Sequence, residues 1–218
     1  MEVPNGVSMK KIVTDHRKLL EEYKHKKDEI KKRLREFKKV GLGSAKDIFT
    51  ELCFCILTPQ SNARQCDKAI QELKKKRLLF KSPAGAITAV LKGRSRFHNK
   101  KADYLVSARR SFDKSVLSNG NILDVRRKIV KNIKGVGYKE ASHFLRNIGL
   151  GKGIAILDRH ILKNLKRYGV IDRVPSSMSV KSYLNIEESA RSFAKSIGLA
   201  LEELDLLFWS RETGEIFK

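Results

Sequence analysis

The segment from Ser44 to Thr58, SAKDIFTELCFCILT, places the strongest constraint on the fold. Ser44 followed three residues later by Asp47 is a helix-start signal. Beyond it, Ile48, Phe49, Leu52, Cys53, Phe54, Ile56 and Leu57 put apolar side chains on nearly every side of a helix that runs to about Leu57. A helix that is apolar all round has to be surrounded by packing partners. The rest of the chain offers helices for that purpose. Residues 9–39 carry Ile12, Val13, Leu19, Leu20, Tyr23, Ile30, Leu34 and Phe37, mostly at helical spacing between Lys, Arg and Glu. This predicts one long helix or two short ones, ended by Gly41 and Gly43.

The same reading predicts helices from Ser61 or Asn62 to Lys76, from a Ser82 cap with Pro83 in its first turn to near Gly93, and from Asn99 to Phe112. Others follow from Val125 to Asn132 under an Asp124 cap, from Tyr138 to Ile148, from Asp158 to Tyr168, and around Ile186–Ile197 and Leu199–Arg211. Long alternating apolar runs are absent. The predicted class is therefore all-α, with roughly eleven helices.

Lys and Arg number 47 against 24 Asp and Glu, a formal charge of +23. Hydrophobic residues make up 41%, enough for a packed core, so the charge does not belong to a disordered tail. A folded surface this basic calls for a polyanion, and nucleic acid is the leading candidate. The longest unbroken apolar run, Leu52 to Leu57, is too short for a bilayer span. MEVPNGVSMKK contains no apolar stretch, so no secretory signal is expected. Cys53, Cys55 and Cys66 form no CxxC pair and no cluster, which predicts buried thiols in a reducing cytoplasm rather than a metal site or a disulfide.

The chemistry concentrates in IVKNIKGVGYKEASHFL, residues 129–145. A short amphipathic helix meets Gly135-Val136-Gly137, and a second helix follows with Ala141, Phe144 and Leu145 on its apolar face. Glycine permits positive φ and close approach of a ligand to the backbone. The helix start beyond it presents N–H groups to an anion. With phosphate as the anion, Gly135, Val136 and Gly137 would grip a nucleic-acid backbone without reading its sequence. A dinucleotide fingerprint would need a preceding strand and a third glycine. Here a helix precedes, and Glu140 follows.

This element resembles the helix-hairpin-helix of the base-excision DNA glycosylase superfamily that includes endonuclease III. Three features carry the resemblance. Lys139 lies two residues past the second hairpin glycine, where bifunctional members hold a nucleophilic lysine. Asp158 follows nineteen residues later in AILDRH, which is similar to the catalytic-aspartate segment. ILTPQS, residues 56–61, resembles the helix end and loop that insert a side chain into the duplex. The iron–sulfur cysteines of the endonuclease III branch do not follow Asp158. The ending LFWSRETGEIFK, with its lone Trp209 and its Lys218, and the stretch RFHNKKA at 96–102, resemble instead the type 2 8-oxoguanine DNA glycosylases of archaea and thermophiles. The resemblance covers about residues 45–218.

The resemblance implies a two-lobed fold with the active site in the interlobe cleft. Residues 1–44 would pack with 158–218 as one lobe, and 45–157 would form the other, including the hairpin element at 125–148. It also implies a bifunctional glycosylase and abasic-site lyase, acting as a monomer on double-stranded DNA with oxidised guanine, in the cytoplasm with the nucleoid, without metal or cofactor. Lys139 would attack the sugar through a neutral amine, and Asp158 would stabilise developing positive charge or help deprotonate the lysine. Trp209 would stack on the flipped base, and the Lys218 carboxylate would read its edge. Gln60, Ser61 and Asn62 are the candidates to fill the gap. The alternatives are a glycosylase for another oxidised or mismatched base, and a DNA-binding module without catalysis.

Overall fold

A computed structural model describes residues 9–118 and 120–218, with side chains from residue 15 onward. The N-terminal segment and the Ile12 and Val13 side chains lie outside the described residues. Ten α-helices and one 3-10 helix, Lys114–Ser118, appear among the described residues, and no strand does. None of these helices is long and apolar enough to cross a membrane. The chain divides into two compact units. One takes the chain up to Phe37 together with Gly151–Lys218, and the other is Lys38–Leu150.

In the unit Lys38–Leu150 the central element is α2 (Ala45–Leu57), whose residues from Ile48 to Leu57 are all buried. Ser44 caps it: the Ser44 Oγ accepts the Asp47 N–H, and the Asp47 carboxylate accepts the Ser44 N–H. Around α2 pack α3 (Ala63–Lys75), α5 (His98–Ser111) and α7 (Tyr138–Asn147), and α4 (Ala84–Leu91) lies against α5. Glu51 of α2 accepts a hydrogen bond from Asn147 of α7 at 2.7 Å, so the buried carboxylate is not left bare. Cys53, Cys55 and Cys66 are buried and outside any disulfide.

Two caps differ from the sequence expectation. Helix α4 begins at Ala84 with Pro83 as its N-cap and no side-chain cap bond, so Ser82 does not cap it. Helix α6 (Ile122–Asn132) is capped by Asn121, whose Oδ1 accepts the N–H groups of Leu123 and Asp124. Asp124 sits in the first turn instead, where its negative charge favours the helix N-terminus.

The other unit holds α1 (Met9–Gly41) as far as Phe37, α8 (Arg159–Arg167), α9 (Val180–Ser196) and α10 (Leu201–Thr213). Leu19, Tyr23, Ile30 and Phe37 form the buried stripe of α1. Polar pins fix α1 to α10. Lys26 donates to Ser210 at 2.9 Å, and Arg211 pairs with Glu22 at 3.0 Å. Tyr168 stacks on Phe208, with rings 5.5 Å apart and nearly parallel.

Candidate active site

The hairpin joins α6 to α7 in the unit Lys38–Leu150. Ile129, Ile133, Val136, Ala141, Phe144 and Leu145 are buried, while Lys134, Gly135 and Gly137 are exposed. Gly135 has φ of 81°, and a Cβ there would lie 2.2 Å from a ring carbon of Tyr104. Glycine is thus required twice, by conformation and by packing. Arg126, 1% exposed, braces the element from α6: its guanidinium covers the Tyr138 ring at 5.1 Å and donates to Ser142 Oγ at 3.0 Å.

Two hairpin N–H groups are engaged internally. Val136 N–H donates to the Ile133 carbonyl at 3.3 Å, and Gly137 N–H to the Glu140 carboxylate at 3.1 Å. An incoming phosphate must displace Glu140 from Gly137 or bind the N–H groups of the first α7 turn, which have no carbonyl four residues back. A substitution separates the two glycines. Gly135→Ala is expected to destabilise the fold by about 2 kcal/mol, from left-handed strain plus the clash with Tyr104. Gly137→Ala meets only Glu140 Oε2, the far end of a flexible side chain, at 3.1 Å, and should melt close to the parent. Thermal melts of the two variants check this, and equal losses would refute it.

Lys139 is the second residue of α7. Its side chain is 24% exposed, and its Nζ lies 3.5 Å from Glu140 Oε1. Glu140 therefore holds two partners at once, the hairpin N–H and the lysine. This carboxylate is not among the site residues expected from the sequence. Its signal was present, because a Glu at the third helical position reaches back to the helix start.

Of the three gap-filling candidates, the structure commits two elsewhere. Asn62 caps α3 by accepting the Gln65 N–H at 3.0 Å. Ser61 Oγ is tied to Lys101, Ser95 and the Arg96 N–H. Gln60 is exposed, has φ of 54°, and makes no side-chain hydrogen bond among the described residues. Phe97 shares these properties: its φ is 57°, and it is 55% exposed. An exposed ring on constrained backbone offers a stacking face to a base.

Asp158, Trp209 and Lys218 lie in the other unit. Asp158 is half-buried and caps α8, its Oδ1 accepting the N–H groups of His160 and Ile161 at 2.8 and 2.9 Å. The extended segment leading to it is stitched to one face of α9. Arg191 donates to the Gly153 carbonyl, the Ala155 N–H donates to Glu187 at 2.8 Å, and Tyr183 O–H donates to the Ala155 carbonyl at 2.6 Å. These three residues recur every four positions, so one helix face satisfies the backbone of a segment that is neither helix nor sheet. Trp209 is half-buried, and the His160 ring meets it edge-on at 5.2 Å. Its indole N–H has no hydrogen-bond partner among the described residues. Glu212 lies beside His160, and the Lys163 hydrogen bond holds its carboxyl below the usual carboxylate range. The end of the chain is seated by buried Ile216 and Phe217, and Lys218 is half-buried.

The sequence model of the 8-oxoguanine DNA glycosylase family matches residues 30–199. The chain is 45% identical over 205 residues to an 8-oxoguanine DNA glycosylase/AP lyase of Fusobacterium nucleatum, covering 90% of this chain and 94% of that one. The crystal structure of a Methanocaldococcus jannaschii 8-oxoguanine glycosylase/lyase in complex with DNA containing 8-oxoguanine superposes with a TM-score of 0.85 at 41% identity. It covers 92% of this chain and 98% of that one. The Thermotoga maritima 8-oxoguanine DNA glycosylase gives a TM-score of 0.86 at 33% identity, over 95% of this chain and all of that one. With a family model that matches most of the chain, and with relatives and solved structures matched nearly end to end, the chain belongs to the 8-oxoguanine DNA glycosylase family.

Proposed function

We infer that the protein excises 8-oxoguanine from double-stranded DNA and then nicks the strand as an abasic-site lyase, a base-excision repair activity. The observation that carries this reading is Lys139, half-buried on the first turn of the helix that leaves the hairpin, in a family whose relatives are named for both activities. The assignment of individual residues is our proposal. Gly135, Val136 and Gly137 bring a phosphate to the start of α7. Gln60 enters the space left by the extruded base, with Ser61 and Asn62 shaping its turn. Trp209 stacks on that base and Lys218 reads its edge. The working location is the cytoplasm, on the nucleoid.

Lys139 Nζ, as a neutral amine, attacks C1′ of the damaged nucleoside. The C1′–N9 bond breaks and its electron pair leaves with the base, which takes up a proton. The amine loses its protons as the sugar ring opens, and a Schiff base forms. Loss of a C2′ proton then expels the 3′ phosphate by β-elimination. Asp158 stabilises the positive charge that builds on the sugar as the base departs.

Excision assays with borohydride trapping, run on duplexes with 8-oxoguanine, an oxidised pyrimidine, a mismatch or no lesion, test this reading. Trapping confined to 8-oxoguanine is expected. A few residues added after Lys218 should lower 8-oxoguanine excision by roughly tenfold or more while leaving lyase action on a ready-made abasic site in place. Unchanged excision in the extended protein would remove Lys218 from base reading. Binding without any trapping would favour the non-catalytic alternative.

A further inference from the structure

Lysine side chains keep their charge in water and bury only their stems. Lys101 of α5 departs from this, since the whole residue is 4% exposed. Its Nζ lies 2.7 Å from the Leu57 carbonyl, 2.7 Å from the Pro59 carbonyl, 2.9 Å from Ser61 Oγ and 3.0 Å from Ser95 Oγ. An ammonium has three N–H donors, so these four acceptors share them. No carboxylate forms an ion pair with it among the described residues. Burial pushes its pKa down to about 8; Lys139 and Arg96 act in the same direction, and Cys66 and Glu140 oppose them. Placing a cation here is costly.

The acceptors belong to two turns. Leu57 is the last residue of α2, and its carbonyl also accepts from Ser95 Oγ and the Cys66 thiol. Pro59 and Ser61 follow in the turn to α3. Ser95 stands in the turn to α5, and Ser61 Oγ accepts the Arg96 N–H at 2.9 Å, which closes the link. Each turn holds one exposed non-glycine residue in the left-handed region, Gln60 in the first and Phe97 in the second. Such backbone is strained and persists only where its surroundings enforce it. A helix cap alone does not call for a buried ammonium, because water or a polar side chain satisfies a helix end at lower cost. One cation that crosslinks two strained turns is what this arrangement adds.

We propose that Lys101 is a positioning residue for base extrusion: its buried ammonium locks the turns that present Gln60 and Phe97, so that both meet the duplex as one rigid edge. The proposal rests on the reading that the protein opens DNA around a damaged base. Lys101→Met keeps an unbranched apolar stem, one atom shorter, and removes the donors. Ser95→Ala removes one acceptor and leaves the ammonium three others.

The readouts are single-turnover excision from an 8-oxoguanine duplex, fluorescence of a 2-aminopurine placed beside the lesion, and borohydride trapping on a duplex with a ready-made abasic site. The last of these has no base to extrude. In Lys101→Met, excision should fall about thirtyfold and the fluorescence rise should vanish, while abasic-site trapping stays within about threefold of the parent. Ser95→Ala should show the same split at about threefold. Equal losses of excision and abasic-site trapping, or a lowered melting temperature with unchanged fluorescence, would overturn the proposal. If Lys101→Met shows no melting transition, Ser95→Ala decides alone, and its failure to lower excision overturns it. A parent protein that leaves 8-oxoguanine in place would refute the functional reading instead, so the two failures are distinct.

Discussion

Lys139→Gln is expected to abolish borohydride trapping on an 8-oxoguanine duplex, by roughly a thousandfold or more, with binding to that duplex within about threefold of the parent. Glutamine is polar and of similar reach, but its amide nitrogen is no nucleophile. The fold has little reason to respond. Lys139 contributes one ion pair, to Glu140 at 3.5 Å, and Glu140 keeps its other partner, the Gly137 N–H. A part-exposed pair of this kind contributes little to stability. The hairpin backbone is shaped by Gly135, which leaves no room for a Cβ beside Tyr104, and by Arg126, which covers the Tyr138 ring and donates to Ser142. Loss of the covalent adduct with retained affinity therefore isolates the chemical step. Denaturing gels after borohydride treatment give the first quantity and fluorescence anisotropy the second. An adduct that persists in the variant would mean that a different amine attacks the sugar.

The parts of this site that could be read in the sequence are local. Gly135 and Gly137 bound a three-residue turn, Lys139 follows two residues later, and Asp158 caps the helix that begins beside it, so each signal sits within one turn of its effect. The all-round apolar pattern of Ile48–Leu57 likewise needed no partner to be identified as buried. Where two cap residues compete, the pattern misleads. Asn121 and Asp124 are both good caps, and the choice fell to Asn121 because its Oδ1 reaches two N–H groups at once. Helix α9 begins at Val180, six residues before the expected Ile186, because Ser179 caps it and Tyr183 is drawn inward by the Ala155 carbonyl. Lys101 was one more lysine in a run of basic residues. Its partners lie up to 44 positions away, and nothing at residues 96–102 announces a buried charge. The same holds for Tyr183, Glu187 and Arg191, whose partners are backbone groups 26 to 38 residues earlier. Long-range polar contacts leave no periodic trace, because a single residue makes each one.

Asp158→Asn is expected to lower 8-oxoguanine excision about a hundredfold, close to 2.7 kcal/mol of transition-state stabilisation, with a melting temperature near that of the parent. The aspartate does two things that this substitution pulls apart. As a cap it uses Oδ1 alone, at 2.8 Å from the His160 N–H and 2.9 Å from the Ile161 N–H. Asparagine keeps that oxygen and caps helices about as well as aspartate. The backbone that carries residue 158 is fixed independently by Tyr183, Glu187 and Arg191, so the segment has no cause to relax. What the variant loses is the negative charge, with Oδ2 replaced by a neutral amide that donates hydrogen bonds. A positive charge growing on the sugar would meet that donor in place of an anion, which raises the barrier in the step where the base leaves. Single-turnover excision and a thermal melt of the same preparation measure the two effects separately. A variant that melts like the parent and excises like the parent would reduce Asp158 to a helix cap. One that loses stability and activity together would leave its charge without a demonstrated role in the chemistry.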